Sequence, residues 1–215
     1  MQDYPKLLTG SNASRVSFTQ YEKWTSFSAV KNAISDAVAK QKAGNAPESG
    51  SSGEADVYYW FYNVLKQAGV QFTPLQQHTY AGVEINEPPH IVLTPKFGVS
   101  HQLIKDKFVS ASDVHITSDS TLIIDGANVT VKSLKLSGAL TIEAVDDAIV
   151  TVEDLSVHND GWHFNELSSE QIDTVEQKYA VRGYTLSKSP AEQYVFAQPG
   201  TYVLSDRNKT KYTKK

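Results

Sequence analysis

An eight-residue stretch, Val129-Thr130-Val131-Lys132-Ser133-Leu134-Lys135-Leu136, returns 21 positions later as Val150-Thr151-Val152-Glu153-Asp154-Leu155-Ser156-Val157. Around it lie the triplets Val114-His115-Ile116, Leu122-Ile123-Ile124 and Leu140-Thr141-Ile142. Six of the seven apolar–x–apolar triplets between residues 114 and 157 have a polar or charged middle residue. Alternation at period two puts one face in a core and one in water. Segments this short, separated by small and polar residues, are not the long strands of a sandwich. They predict a solenoid whose coils of about 18–21 residues each lay down several short strands that stack in parallel. The inward side chains are then Val129, Val131, Leu134, Leu136, Val150, Val152, Leu155 and Val157. A left-handed hexapeptide-repeat acyltransferase needs strict six-residue spacing, and a 21-residue step does not divide by six.

Before this region the pattern changes. Residues 33–43 read as a short helix and residues 54–69 as the best helix in the chain. In the latter, Val57, Trp60, Phe61, Val64, Leu65 and Ala68 recur at helical spacing, and Gly69 stands where a C-cap belongs. The stretch 45–53 is small and polar and reads as a flexible loop. Glu87-Pro88-Pro89-His90 is a boundary signal, and Ile91-Val92-Leu93 reads as a strand. After the repeat, Asn159-Asp160-Gly161-Trp162 ends the coils. Residues 166–179 read as a helix or an acidic insertion, residues 180–186 as a strand, and residues 194–204 as a last strand pair broken at Pro199-Gly200. The basic stretch from residue 206 onward reads as frayed.

With 215 residues the chain can hold one large or two small domains. A net charge of −4 gives no electrostatic drive toward nucleic acid or an anionic membrane. There are no cysteines, hence no disulfide framework and no thiolate zinc site. No apolar run approaches the length of a membrane span, and no charged-then-apolar segment opens the chain. A cytoplasmic protein is expected. The first ninety residues have modest apolar content and few partners for their early aromatics, so this part is expected to begin inside a larger domain.

An ordered series of short motifs resembles UDP-sugar pyrophosphorylase. It runs Met1-Gln2-Asp3-Tyr4-Pro5-Lys6-Leu7-Leu8, Val16-Ser17-Phe18-Thr19, Val30-Lys31-Asn32, Ser52-Gly53-Glu54 and Ala68-Gly69-Val70. It continues through Pro95-Lys96-Phe97-Gly98, Ser120-Thr121-Leu122-Ile123-Ile124-Asp125-Gly126, Leu136-Ser137-Gly138-Ala139-Leu140, Asn159-Asp160-Gly161-Trp162 and Val181-Arg182-Gly183-Tyr184. The order of the series, rather than any one motif, carries the resemblance, which extends to about Thr201. It implies a mixed α+β architecture: the tail of a Rossmann-like nucleotidyltransferase domain in residues 1–90, a C-terminal parallel β-helix in 91–205, and a disordered tail in 206–215. It further implies the C-terminal part of an enzyme that joins UTP and a sugar 1-phosphate into a UDP-sugar, releasing pyrophosphate, with Mg²⁺ held by residues outside this chain. The Gly-rich nucleotide loop of the family is absent here, so the fragment is expected to be inactive alone. The alternatives are a structural or oligomerisation β-helix module that self-associates, or the same fragment of a UDP-glucose-specific pyrophosphorylase.

Among side chains, the resemblance points first to Lys31 as the catalytic and substrate-binding cation. Nucleotidyl transfer rests on positioning and charge stabilisation, and an ammonium meets negative charge developing on phosphate. The family motif usually has proline before Val-Lys-Asn; here Ala29 stands there. Asn32 is expected to orient Lys31 or, more simply, to cap the following helix. Gln2, within Gln2-Asp3-Tyr4, is implied to line the sugar side. The histidines His78, His90, His101, His115, His158 and His163 show no metal-ligand spacing. Asp146, Asp147, Glu153 and Asp154 fall at coil turns, where carboxylates are more often solvated or bonded to backbone amides than catalytic.

Overall fold

In the computed structural model, which describes residues 4–189 and 191–212 apart from the side chain of Ser14, the sequence repeat is a pairing register. Val129 lies opposite Val150 and Leu134 opposite Leu155, each in a parallel ladder. Like residues therefore stack directly, and all eight side chains expected to point inward are buried. Filling a core with a Val or Leu side chain stabilises by about 1.5–3 kcal/mol, which is why triplets this short hold as strands.

The elements in chain order are α1 (Lys23–Ser26), α2 (Ile34–Lys42), α3 (Gly50–Ala68), β1 (Gln71–Phe72), β2 (Gln76–Tyr80), β3 (Val83–Glu87), β4 (His90–Leu93) and α4 (His101–Lys107). Then come β5 (Val114–Ile116), β6 (Thr121–Asp125), β7 (Val129–Val131), β8 (Leu134–Ser137), β9 (Ala139–Ala144), β10 (Ala148–Val152) and β11 (Leu155–His158). The last are β12 (Trp162–Glu166), α5 (Gln177–Ala180), β13 (Tyr184–Lys188), β14 (Glu192–Phe196) and β15 (Gly200–Leu204). Three sheets are parallel, with strand orders β1-β5-β8-β11, β4-β6-β9-β14 and β7-β10-β15. From β6 to β11 the chain visits these sheets in turn, twice over. Two antiparallel pairs, β2–β3 and β12–β13, complete a mixed α/β fold with mostly parallel sheets.

The long helix starts a turn earlier than its apolar spacing suggests. Gly50-Ser51-Ser52-Gly53 looks like loop, yet Ser49 accepts the Ser52 amide and the Ser52 side chain accepts the Ser49 amide, a capping box that stabilises the first turn. Gly69 ends the helix in the left-handed conformation, as expected. Val64 and Leu65 of α3 join one core cluster with Ile91, Leu122, Val150 and Leu204, while Ala55 joins a second with Tyr80, Val83 and Tyr184. The core thus runs without interruption from α3 into the stacked strands.

Two late segments differ from expectation. Trp162 opens a strand, and residues 166–179 form no continuous helix; Ile172–Thr174 makes one 3₁₀ turn and Gln177–Ala180 a short turn of α-helix. The polar stretch carries too few apolar residues at helical spacing to bury a face. Instead β12 and β13 pair as a hairpin folded back on the earlier elements: Phe164 stacks on His90 with ring centroids 3.7 Å apart. Asn159 makes the exit, its amide side chain bonding both backbone groups of Ala139 and the Gly161 amide. The strands β14 and β15 do not pair with each other. They add to separate sheets, β14 on β9 and β15 on β10.

Residues 206–212, read from sequence as frayed, lie against β11 and β14. Asp206 Oδ1 accepts the Ser156 amide at 3.0 Å, and Lys209 Nζ donates to the Ser156 carbonyl at 3.0 Å. The Tyr212 carbonyl accepts the Val195 amide, and its ring packs on Phe196 and Tyr202. Unpaired groups on the edges of β11 and β14 are satisfied in this way, which blunts an edge that would otherwise offer a pairing template.

Candidate functional site

The site is built where the chain enters α2. Just before α2 the chain runs along α3: Ser28 Oγ donates to Asp56 at 2.7 Å, and Val30 lies against the same helix. A Cβ added to Gly53 would come 2.2 Å from Val30 Cγ2, so only glycine lets this segment approach α3 so closely. Next, the Lys31 and Asn32 amides both donate to the Glu48 carbonyl, at 3.0 and 3.1 Å. The Asn32 side-chain amide donates to the Pro47 carbonyl at 2.7 Å. These bonds tie the Lys31 segment to residues 47–48 immediately before α3.

Asn32 therefore does not cap α2. Ala33 holds the N-cap position and has no side-chain oxygen to cap with, and Asn32 lies one residue before it. The contacts of Asn32 run to residues 47 and 48. Lys31 projects outward with 61% of its side chain exposed, and its Nζ lies 3.2 Å from Glu48 Oε2. The same oxygen lies 3.1 Å from Lys40 Nζ, on the last turn of α2. Lys40 first and Lys31 second hold the Glu48 carboxyl below its ordinary range. Gln2 lies outside the described residues.

Beside this segment is a small cleft of about 90 Å³ lined by Lys23, Phe27, Ala29, Pro47, Glu48 and Asp56. Ligand pockets run to about 300–1,000 Å³, so this cleft cannot enclose a nucleotide or a sugar. What the arrangement can do alone is present an ammonium to an anion. Among the described residues no group of three or more His, Cys, Asp or Glu could hold a metal ion.

The other candidates are structural. Lys132 pairs with Glu153 at 3.4 Å, and the Asp154 amide donates to Ser133 Oγ at 2.7 Å. Asp146 faces Lys96 at 3.9 Å. A buried polar cluster was not legible in the sequence. Tyr80 donates to Glu87, and burial followed by the Glu87 charge pushes the Tyr80 phenol far up, so it remains a donor. His90 Nε2 lies 3.0 Å from the other Glu87 oxygen, but neither ring nitrogen completes a hydrogen bond. His78 spans Glu87 and Glu166 at 3.9 and 3.2 Å, fixing the β12–β13 hairpin to β2. Glu48 and Lys40 were missed as well. Nothing local marks them, since Glu48 meets Lys31 only through the turn between α2 and α3.

Comparison with known proteins gives the chain its context. No family model matches it. It is 32% identical over 206 residues to the UDP-sugar pyrophosphorylase of Arabidopsis thaliana, a match covering 96% of this chain and 32% of that protein. It is 34% identical over 188 residues to the UDP-sugar pyrophosphorylases of Oryza sativa subsp. indica and subsp. japonica, covering 87% of this chain and 29% of each relative. The chain thus spans about a third of the length of the curated relatives it matches, and over that third it is a homologue of the UDP-sugar pyrophosphorylases. The Arabidopsis match leaves so few residues outside that Lys31 falls within it. No helix among the described residues is long and apolar enough to cross a membrane.

Proposed function

We propose that this chain is the C-terminal part of a UTP-dependent sugar-1-phosphate uridylyltransferase, with Lys31 as a phosphate-binding cation. In the reaction, a phosphate oxygen of the sugar 1-phosphate attacks the α-phosphorus of UTP. The bond from that phosphorus to the bridging oxygen breaks, and pyrophosphate leaves with its electron pair. Negative charge grows on the departing oxygens, and a fixed ammonium stabilises it. The observation that carries this reading is the Lys31 segment itself: a Val-Lys-Asn sequence clamped by three hydrogen bonds to residues 47–48 and held on Gly53, with its amine turned to solvent. Nothing in the bonding of that segment requires the lysine for packing.

In this reading residues 1–90 close a Rossmann-like catalytic domain, residues 91–205 form a parallel β-helix, and residues 206–215 are its tail. The successive visits of the chain to three parallel sheets support the β-helix. The division is one of role rather than of packing, since the core is shared across residue 90. The fragment is inactive alone, because the cleft beside Lys31 is too small for the substrates; the remaining walls, and the residues holding Mg²⁺, belong to the other two thirds. The protein works in the cytoplasm, consistent with its lack of cysteines. A second reading, a β-helix module for self-association, draws on the same sheets; UDP-glucose specificity is a variant of the first.

The test is pyrophosphate release dependent on UTP and sugar 1-phosphate, measured on this chain joined to its upstream coding sequence. The longer protein turns over, and Lys31→Ala lowers kcat/KM on the order of 100-fold. No release with any common sugar 1-phosphate overturns the enzyme reading; full activity of Lys31→Ala overturns the role of Lys31 alone.

A further inference from the structure

The carboxylate of Glu48 has an unusual position. A single oxygen, Oε2, is shared by two ammonium groups from different elements, Lys31 before α2 and Lys40 at its end. Glu48 also adopts a left-handed backbone, φ 51°, uncommon for a residue other than glycine. Its carbonyl accepts the amides of both Lys31 and Asn32. The backbone therefore fixes the point from which the carboxylate projects, while the side chain itself is held only by its two ion pairs. Both lysines remain open to water, with 61% and 40% of their side chains exposed.

Resting on the reading of Lys31 as a phosphate contact, we propose that Glu48 is an internal stand-in for substrate phosphate and that Lys40 is a second phosphate-binding lysine. One carboxylate leaves the pair of ammonium groups with an excess positive charge. A phosphate or pyrophosphate group carries more negative charge and more acceptor oxygens, so it competes effectively for the same two amines. When it enters, the Glu48 carboxylate swings to solvent while the Glu48 carbonyl keeps Lys31 in place. Glu48 is then a positioning residue: it holds the amines together before substrate arrives and sets the concentration of anion needed to displace it. Singly charged anions compete poorly, so the arrangement favours phosphates of high charge.

The experiment measures protection of Lys31 and Lys40 from an amine-acylating reagent by inorganic pyrophosphate, read by peptide mass spectrometry on the full chain. In the wild-type chain pyrophosphate protects both lysines together. Glu48→Gln keeps the backbone clamp and removes the competing charge, so half-protection falls to about one fifth of the wild-type pyrophosphate concentration, the size of one exposed charge pair. Lys40→Gln raises half-protection of Lys31 several-fold. A purely structural Glu48 predicts the reverse for Glu48→Gln, weaker or unchanged protection, and that result overturns the proposal; so does protection of Lys31 that ignores Lys40→Gln. The two readings fail separately. If Lys31→Ala leaves pyrophosphate release by the longer protein intact, the role of Lys31 in the reaction falls. If that variant loses release while Glu48→Gln leaves half-protection unmoved, only the role of Glu48 falls.

Discussion

The stacked strands from β5 to β11 and the segment from residue 4 to residue 30 are both rich in large apolar residues, and they use them in opposite ways. In the strands every inward Val and Leu of the repeat is buried, and each pairs with an equivalent residue of a neighbouring parallel strand. In the early segment Phe18 is 89% exposed, and Tyr21 and Phe27 are each 67% exposed. What anchors that segment is narrower: Trp24 stacks on His101 and lies against the main core, Ser28 bonds Asp56, and Val30 rests on Gly53. The difference teaches that apolar content predicts a core only where its spacing matches a self-stacking unit. The repeated strands supply their own partners; the early aromatics find theirs one at a time.

The sharpest way to break this comparison is to make a cavity in the stack. Leu134→Ala or Leu155→Ala removes a side chain packed between coils, and each destabilises by about 2–5 kcal/mol. Chemical denaturation gives the value directly from the shift in midpoint at constant slope. A loss under about 1 kcal/mol means the coils collapse onto the gap, and the stack is looser than its burial indicates. The next largest effect lies at the end of the stack. Removing residues 206–215 uncovers the Ser156 and Val195 backbone groups and the Phe196–Tyr202 surface under Tyr212. Hydrogen bonds whose partners return to water contribute about 0.5–1.5 kcal/mol each. Light scattering then shows self-association of the truncated chain; a truncated chain that stays monomeric and as stable as the parent means that the tail is not a cap.

The repeat region was legible because its signal is local and redundant. Period-two triplets fix the buried face, and the 21-residue return of Val-Thr-Val and the later Leu fixes the register. The start of α3 was hidden because Gly50-Ser51-Ser52-Gly53 has loop composition, and only the reciprocal bonds of Ser49 and Ser52 make it helix. The β12–β13 hairpin was hidden because its stability comes from contacts far away in sequence, Phe164 with His90 and Glu166 with His78. At the candidate site, Lys31 was legible from its motif. Its partners Glu48 and Lys40 were not, since they meet it through a turn whose path no periodicity announces.

At the junction between the two regions, Gly53→Ala drives Val30 off α3, since the new Cβ would lie 2.2 Å from Val30 Cγ2. Overpacking of this kind destabilises by about 1–3 kcal/mol. Because Lys31 follows Val30 directly, the same change lowers pyrophosphate release by the longer protein about tenfold, chiefly through geometry. Stability lost with activity intact means that Lys31 is not held by this contact. A smaller effect is pH-dependent. Burial alone would raise the Asp206 carboxyl, but the Ser156 amide and the Lys209 ammonium outweigh it and hold it below the ordinary range. A depressed carboxyl contributes stability that is fully present above its unfolded value, about 3.9, and is lost as pH falls through the folded one. The gap between wild type and Asp206→Asn is therefore present at neutral pH and closes in acid, as thermal unfolding at several pH values reveals.

The smallest effect tests the other side of the comparison. Phe18→Ser removes a ring that is almost wholly in water, so the stability of the chain changes by no more than about 0.5 kcal/mol. Trp24→Ala, only six residues later, removes the ring that stacks on His101 and packs against the core, and it destabilises measurably more. Denaturant midpoints of the two variants, taken side by side, give the contrast. Equal losses mean that the early segment is cooperative throughout and that its exposed aromatics matter to the fold. Unequal losses in the stated order mean that Trp24, and not the exposed rings, carries the aromatic attachment of this segment.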